Sequence, residues 1–208
     1  MRITFISDTH NQHTALHLPP ADMLVHAGDF SGRGTLPEVN TFMKWLDAQP
    51  HKHKVIIAGN HDFLAERDKT LFQSILPEGV TYLDDSGATI EGINIWGSPI
   101  QPWFHDWAFN RQRGPDIARH WELIPDDTDL LITHGPPLGI LDTLANGTPI
   151  GCEDLLHHVH RVKPRIHVFG HIHEAAGQAH IDGTHYINAS VLDLRYRYRN
   201  APVTIKWK

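Results

Sequence analysis

The 208-residue chain has a single cysteine, Cys152. One thiol closes no intramolecular disulfide, and it excludes zinc or iron–sulfur sites built from several thiolates. A reducing, cytoplasmic compartment is the expectation. No apolar run approaches the ~20 residues of a membrane span. The N-terminus reaches Asp8 without an apolar core, so no secretory signal is expected. Positive charge is also in short supply: 18 Lys+Arg against 24 Asp+Glu give a net charge of −6 with histidine neutral. The basic residues are scattered, apart from Arg195, Arg197 and Arg199. A nucleic-acid duplex wants a basic face and is disfavoured as a partner. A small anionic substrate stays open, because a bound metal supplies local positive charge. There is no repeat, low-complexity tract or Ser/Gly-rich linker, and one domain over residues 1–208 is expected.

Histidine is the abundant residue, 18 in all. It is the commonest metal ligand and the side chain nearest to titrating at neutral pH. The count alone does not rank the histidines; their positions on the secondary structure do.

Six short runs rich in apolar and β-branched residues read as buried strands: Ile3 to Ile6, Met23 to Val25, Lys54 to Ala58, Ile93 to Trp96, Asp129 to Thr133, and Ile166 to Phe169. Thr35 to Glu38 has the pattern of a capping box. A helix from there to about Leu46 puts Val39, Phe42, Met43 and Leu46 on one face. Pro115 to Trp121 and Cys152 to Val162 read as further helices, the latter stopped by Pro164. Tyr186 to Ile187 and Val203 to Trp207 read as late strands. Strands alternating with helices argue an α/β fold with largely parallel strands in the first half.

Five of the strands run into metal-type ligands: Asp8 and His10, Asp29, Asn60, His134, and His171 and His173. Glycine adjoins the ligand in four of these cases, which suits tight turns and close backbone approach. In open α/β sheets ligands bind at the carboxyl ends of strands, so parallel neighbours would bring the five ends together. Asp, Asn and His without thiolate suit Mn, Fe, Zn, Co or Ni. Seven candidate ligands are too many for one ion and suit a pair sharing one carboxylate. Two ions ~3.5–4 Å apart clamp the attacking and leaving oxygens of a phosphoryl displacement.

The ordered blocks Asp8-x-His10, Gly28-Asp29, Gly59-Asn60-His61-Asp62, Thr133-His134-Gly135 and Gly170-His171-x-His173 resemble the calcineurin-like metallophosphoesterase superfamily. The segments 97–104, 107–110 and 134–137 are similar to its metallophosphoesterase-domain-containing subfamily, which has animal brain-expressed members and bacterial relatives. The resemblance implies two packed β-sheets flanked by helices. It implies one ion, Mn or Fe foremost, on Asp8, His10 and His173, a second on Asn60, His134 and His171, and Asp29 bridging both. His61 would face the substrate phosphate rather than a metal.

The expected activity is phosphodiester hydrolysis of a small or cyclic nucleotide-type substrate, with a metal-bridging hydroxide as nucleophile. His61 is the candidate to protonate the leaving alkoxide. Asp62, adjacent in sequence, is the candidate to orient that imidazole. Arg33, four residues after Asp29, stands at the offset of a phosphate-binding arginine in the Ser/Thr protein phosphatase branch. The aromatic-rich stretch Trp96 to Phe109 either anchors a long loop or forms a wall for a nucleobase or aryl group, with Trp103 and Phe104 as wall residues. Phosphomonoesterase or nucleotidase activity, or a non-catalytic metal-binding scaffold, are the competing functions. His157, His158 and His160 are expected on a solvated helix face. His26 and His167 are expected inside strands. Arg195, Arg197 and Arg199 alternate at strand period and are expected on a wet strand face.

Overall fold

A computed structural model describes residues 1–207. In chain order its elements are β1 (Arg2–Ile6), β2 (Met23–Ala27), α1 (Leu36–Asp47), β3 (His53–Ile57), α2 (Phe63–Arg67), α3 (Lys69–Ser74), β4 (Val80–Tyr82), β5 (Ser86–Ile90), β6 (Ile93–Ser98), β7 (Gln101–Pro102), β8 (Asn110–Arg111), α4 (Pro115–Trp121), β9 (Leu130–Thr133), α5 (Glu153–Val162), β10 (Ile166–Phe169), β11 (Gly177–Ile181), β12 (Thr184–Asn188) and β13 (Val203–Lys206). Two short 3-10 turns, at His13–Ala15 and His173–Ala175, complete the set.

The strands form two large sheets and a small pair, as the resemblance implies for this fold. One sheet has the order β13-β1-β2-β3-β4, the other β11-β12-β10-β9-β6-β5, and β7 pairs with β8. Within the first sheet β1, β2, β3 and β4 are parallel, and β13 closes its edge antiparallel to β1. Within the second, β6, β9, β10 and β12 are parallel, flanked by antiparallel β5 and β11.

Strand periodicity explains the layering. Side chains alternate faces along a strand. Ile3, Phe5, Met23, Val25, Val55 and Ile57 of the first sheet pack with Ile95, Leu130, Ile132, Ile166, Val168 and Ile187 of the second. The opposite faces, including Leu24, Ile56, Leu131 and Phe169, pack beneath helices. The α1 face of Val39, Phe42, Met43 and Leu46 is buried as expected. Its first turn is closed by Glu38, whose carboxylate accepts the Thr35 N–H at 2.9 Å. In α5, Leu155, Val159 and Val162 are buried, and Cys152 caps the helix by accepting the Leu155 N–H.

Three features differ from the sequence reading. The ligand-bearing strands are not neighbours in one sheet: β1, β2 and β3 belong to the first, β9 and β10 to the second. On α5, His157 and His160 are exposed but His158 is buried, because it falls on the Leu155–Val159 face. Arg195, Arg197 and Arg199 lie on a turn rather than a strand. The Asp193 carboxylate draws in the N–H groups of Arg195 (2.8 Å) and Arg197 (3.0 Å) and folds the segment back on itself. Among the described residues no helix is long and apolar enough to cross a membrane.

Candidate metal centre

The carboxyl ends of β1, β2 and β3 meet those of β9 and β10 at the seam between the two sheets. Ser7 joins them, donating its N–H to Ala189 at 2.9 Å while its carbonyl accepts the Val191 N–H at 3.1 Å. The loops leaving the strands are sharply turned. Asp8 (φ 56°), His10 (φ 37°), Asp29 (φ 57°) and His171 (φ 67°) all take left-handed backbone conformations. Such conformations are unfavourable for these residue types and cluster at functional sites. The packing leaves no room for larger neighbours: a Cβ on Gly170 would collide with the Asp8 carboxylate, and one on Gly59 with that of Asp29.

The seven expected ligands come together here. Asp8, His10 and His173 form one compact cluster of donor atoms; Asp29, His134 and His171 form another. Asn60 joins the second, its Oδ1 2.9 Å from Nε2 of His134. Asp29 lies between the clusters, its Oδ2 3.3 Å from Nε2 of His134 and 3.7 Å from Nε2 of His10.

The orientation of the imidazoles decides what the clusters can bind. Nδ1 of His10 donates to the Ser31 carbonyl at 3.2 Å, Nδ1 of His134 to Ala27 at 3.0 Å, and Nδ1 of His173 to Asp193 at 3.2 Å. A carbonyl only accepts, so each ring carries its proton on Nδ1 and turns the Nε2 lone pair inward. That is the arrangement a metal-ligating histidine needs. His10 and His173 even present their Nε2 atoms to each other at 3.3 Å. Two acceptor nitrogens at that distance beside a carboxylate fit a shared cation. Asp8 is fixed in turn, accepting the His171 N–H at 3.0 Å and the Ser190 hydroxyl at 2.8 Å.

Burial raises the carboxyls of Asp8 and Asp29, but the facing imidazoles outweigh it and hold both below the usual range. Burial lowers His134 and His173, but Asp29 and Asp8 respectively lift each to about 9. Without a metal a second proton therefore settles on Nε2 of each of these rings, beside a buried carboxylate, and a divalent cation would take that proton's place.

His61 sits at the rim. Its Nδ1 donates to the Gly32 carbonyl at 2.7 Å, and its Nε2 lies 4.0 Å from Oδ2 of Asp29. The Trp107 ring covers it, centroids 4.2 Å apart. Asp62 does not orient this imidazole, as adjacency had suggested. Its buried carboxylate instead accepts the N–H groups of Asp29 (2.9 Å), Ser31 (3.0 Å) and Gly59 (2.8 Å) and the Ser31 hydroxyl (2.6 Å). It holds the loops that carry Asp29 and Asn60.

The centre opens into a cavity of about 570 Å³ lined by Trp103, Phe104, Trp107, Ile150, Leu194 and Tyr196, among others. Trp103 and Phe104 are each 52% exposed, whereas Trp96 and Phe109 are buried in the core, so the aromatic stretch divides between a cavity wall and a loop anchor. Arg33 is not in this cavity. Glu38 accepts its N–H at 3.1 Å, in a turn that leaves the residue exposed to solvent. Arg113 lines the cavity instead, its guanidinium bonded to the carbonyls of Ile150 and Gly151 at 2.8 Å each. Nothing in the spacing around Arg113 signals this, because its partners are 37 and 38 residues away. The cavity-facing Trp107 lies in the segment that carried the subfamily resemblance, but Tyr196 had no signal.

Residues 1–175 match the model of the calcineurin-like phosphoesterase family. Metallophosphoesterase domain-containing protein 1 of Homo sapiens is 42% identical over 229 residues, covering 98% of this chain and 70% of that protein. A UPF0046 protein of Caenorhabditis elegans is 36% identical over 217 residues, covering 98% of this chain and 74% of its own. The crystal structure of TT1561 of Thermus thermophilus shares the fold with a TM-score of 0.60 at 16% identity, covering 98% of this chain and 97% of that one. The donor clusters, the fold and these relatives agree: the chain belongs to the calcineurin-like phosphoesterase family, in the group of metallophosphoesterase domain-containing protein 1 and UPF0046, and is a metal-dependent phosphoesterase.

Proposed function

We propose that the chain is a phosphodiesterase acting on small or nucleotide-type phosphodiesters, with a dinuclear centre held by Asp8, His10 and His173 on one side and Asn60, His134 and His171 on the other, Asp29 shared. Manganese or iron suits this oxygen- and imidazole-only donor set, and Zn, Co or Ni are compatible with it. When bound, two such ions polarise a water and neutralise charge on the phosphoryl oxygens.

The observation that carries the diester reading is the cavity. A monoester needs room only for the phosphate and one organic group. Here the donor clusters open into about 570 Å³ with an exposed aromatic wall at Trp103 and Phe104. That accommodates organic groups on both ester oxygens, one of them stacked on a ring.

The protein's own residues then divide the work. Asp62 and Ser190 fix Asp29 and Asp8. Gly32 sets the His61 tautomer, so a second proton on that ring sits at Nε2, the atom facing the site. From there it can pass to the leaving alkoxide oxygen or hydrogen-bond a phosphoryl oxygen. Trp107, packed against the ring at a tilt, limits its rotation and its contact with water.

The test is an activity panel on Mn²⁺-loaded protein with bis(4-nitrophenyl) phosphate, 4-nitrophenyl phosphate and cyclic nucleotides side by side. Diester turnover well above monoester turnover is expected. Hydrolysis of the monoester alone would make the protein a phosphomonoesterase, and turnover of none, with no metal found by elemental analysis, would sink the enzymatic reading.

A further inference from the structure

A second cavity of about 360 Å³ adjoins the first, sharing His173, Glu174 and Leu194 with it. The two hollows therefore lie side by side, with His173, a donor of the metal centre, on the wall they share. The lining of the second includes Arg195, Arg197 and Arg199. In a chain with net charge −6, three arginines on five residues around one hollow is a local reversal of sign.

The acids nearby are largely committed. Asp193 pairs with Arg197, Oδ2 to Nη2 at 2.7 Å and to Nε at 3.0 Å, and its Oδ1 takes the backbone of Arg195 and Arg197. Glu174 accepts the N–H of Ala145 at 3.0 Å. Among the described residues, neither Arg195 nor Arg199 has a carboxylate within ion-pair distance.

The turn that presents them is tied down on both sides. Leu192 and Tyr198 are bridged. The Gln12 side chain donates to the Tyr196 carbonyl and the Tyr198 hydroxyl donates to the Gln12 carbonyl. The Asp193 carbonyl also accepts from Nδ1 of His173. The same turn therefore orients a donor of the metal centre and carries the unpaired guanidinium groups, fixing the distance between the two sites. A guanidinium presents a planar fork of donors that matches phosphate oxygens.

We propose that this arginine-walled cavity is an anion subsite, taking a second phosphate group of a substrate whose scissile phosphoester lies beside Asp29 and His61. The inference rests on the phosphoesterase reading and narrows it to substrates with more than one phosphate.

The test compares two esters with one leaving group, thymidine 5′-(4-nitrophenyl phosphate) and the same compound carrying a 3′-phosphate, on the Mn²⁺-loaded full chain. In parallel, calorimetry compares thymidine 3′,5′-bisphosphate with thymidine 5′-monophosphate. Two charge-assisted contacts at a solvent-open cavity correspond to about tenfold. The second phosphate should therefore raise kcat/KM and tighten binding by that factor. The quantity read is the ratio within each variant, which cancels general damage. It should collapse toward one in Arg195→Gln/Arg199→Gln and remain intermediate in Arg195→Lys/Arg199→Lys, which keeps the charge and serves if the first variant fails to fold. A ratio near one in the parent, or an undiminished ratio in the glutamine variant, would overturn the proposal. If neither nitrophenyl ester is cleaved, the diesterase reading falls, while the binding ratio still decides the subsite.

Discussion

The backbone N–H of Asp29 donates to Oδ2 of Asp62 at 2.9 Å, and the carboxylate that receives it is wholly buried. Burial and the Asp29 charge push the Asp62 carboxyl up to about 7, against the pull of its donors. Asp62 is thus a positioning residue that sets the loop carrying the shared ligand. Asp62→Asn replaces one acceptor oxygen by a donor facing N–H groups, which should cost about 2–4 kcal/mol of stability. Calorimetric melting and metal analysis should show a lower Tm and reduced metal content together. A variant with full metal and parental Tm but depressed kcat would restore the role in orienting His61.

His61 makes the opposite prediction. Its ring touches the site from the rim, where it also groups with His10 and Asp29, but its removal leaves the Asp8–His10–His173 and Asp29–His134–His171 clusters whole. His61→Ala should keep its metal and lose about 10²–10⁴-fold in kcat, the usual worth of a positioned acid. The loss should be smallest for 4-nitrophenol, which needs little protonation, and largest for alkyl esters. Equal losses across leaving groups, measured by initial rates, would exclude proton donation.

Asp29 is the residue whose carboxylate reaches histidines of both clusters. Asp29→Ala should therefore fall from about two ions per chain to less than one after equilibration with Mn²⁺. Chelation of the parent should lower its Tm, since ions that bind only the folded state stabilise by mass action. Retention of one tight ion in the variant would contradict a shared ligand.

The donor set was legible in the sequence because each member stands within a few residues of a β-strand end, where α/β sheets gather ligands. What the sequence did not show was which sheet each strand joins, since alternation of side chains gives the faces of a strand and not its neighbours. The supporting residues were hidden for a related reason. Ser190 reaches Asp8 across 182 residues, and Asp193 reaches His173 across 20. Asp62 misled because adjacency to His61 says nothing about direction: the loop turns its carboxylate toward the backbone of Asp29, Ser31 and Gly59. Arg195, Arg197 and Arg199 misled because an i, i+2 spacing fits a strand and equally fits a turn. The Asp193 carboxylate and the left-handed Tyr196 (φ 55°) decide for the turn.

Two fully buried histidines outside the donor set contribute to acid sensitivity. His167 donates from Nε2 to Thr133, whose hydroxyl is itself committed to the Gly135 carbonyl at 2.8 Å, and its Nδ1 has no partner. His26 donates from Nε2 to Thr9 at 3.0 Å and accepts the Gly28 N–H on Nδ1 at 3.2 Å. In both rings a second proton would be buried against nothing that accepts it, and burial pulls each down to about 3. The unfolded chain titrates them near their ordinary value of 6.5. Because the folded values are depressed, the stability that depends on neutral rings is complete above pH ~6.5 and is lost progressively as pH falls toward 3. Each ring contributes a slope of about 1.4 kcal/mol per pH unit in that window, or about 2 kcal/mol between pH 6.5 and pH 5. Urea unfolding at pH values from ~7 to ~4.5 should show proton uptake on unfolding that rises as pH falls, the two rings together contributing about two protons near pH 4.5 to 5. His167→Asn keeps a donor for Thr133 and removes the titration, so it should reduce that uptake by about one. An unchanged slope in the variant would assign the acid sensitivity to other groups.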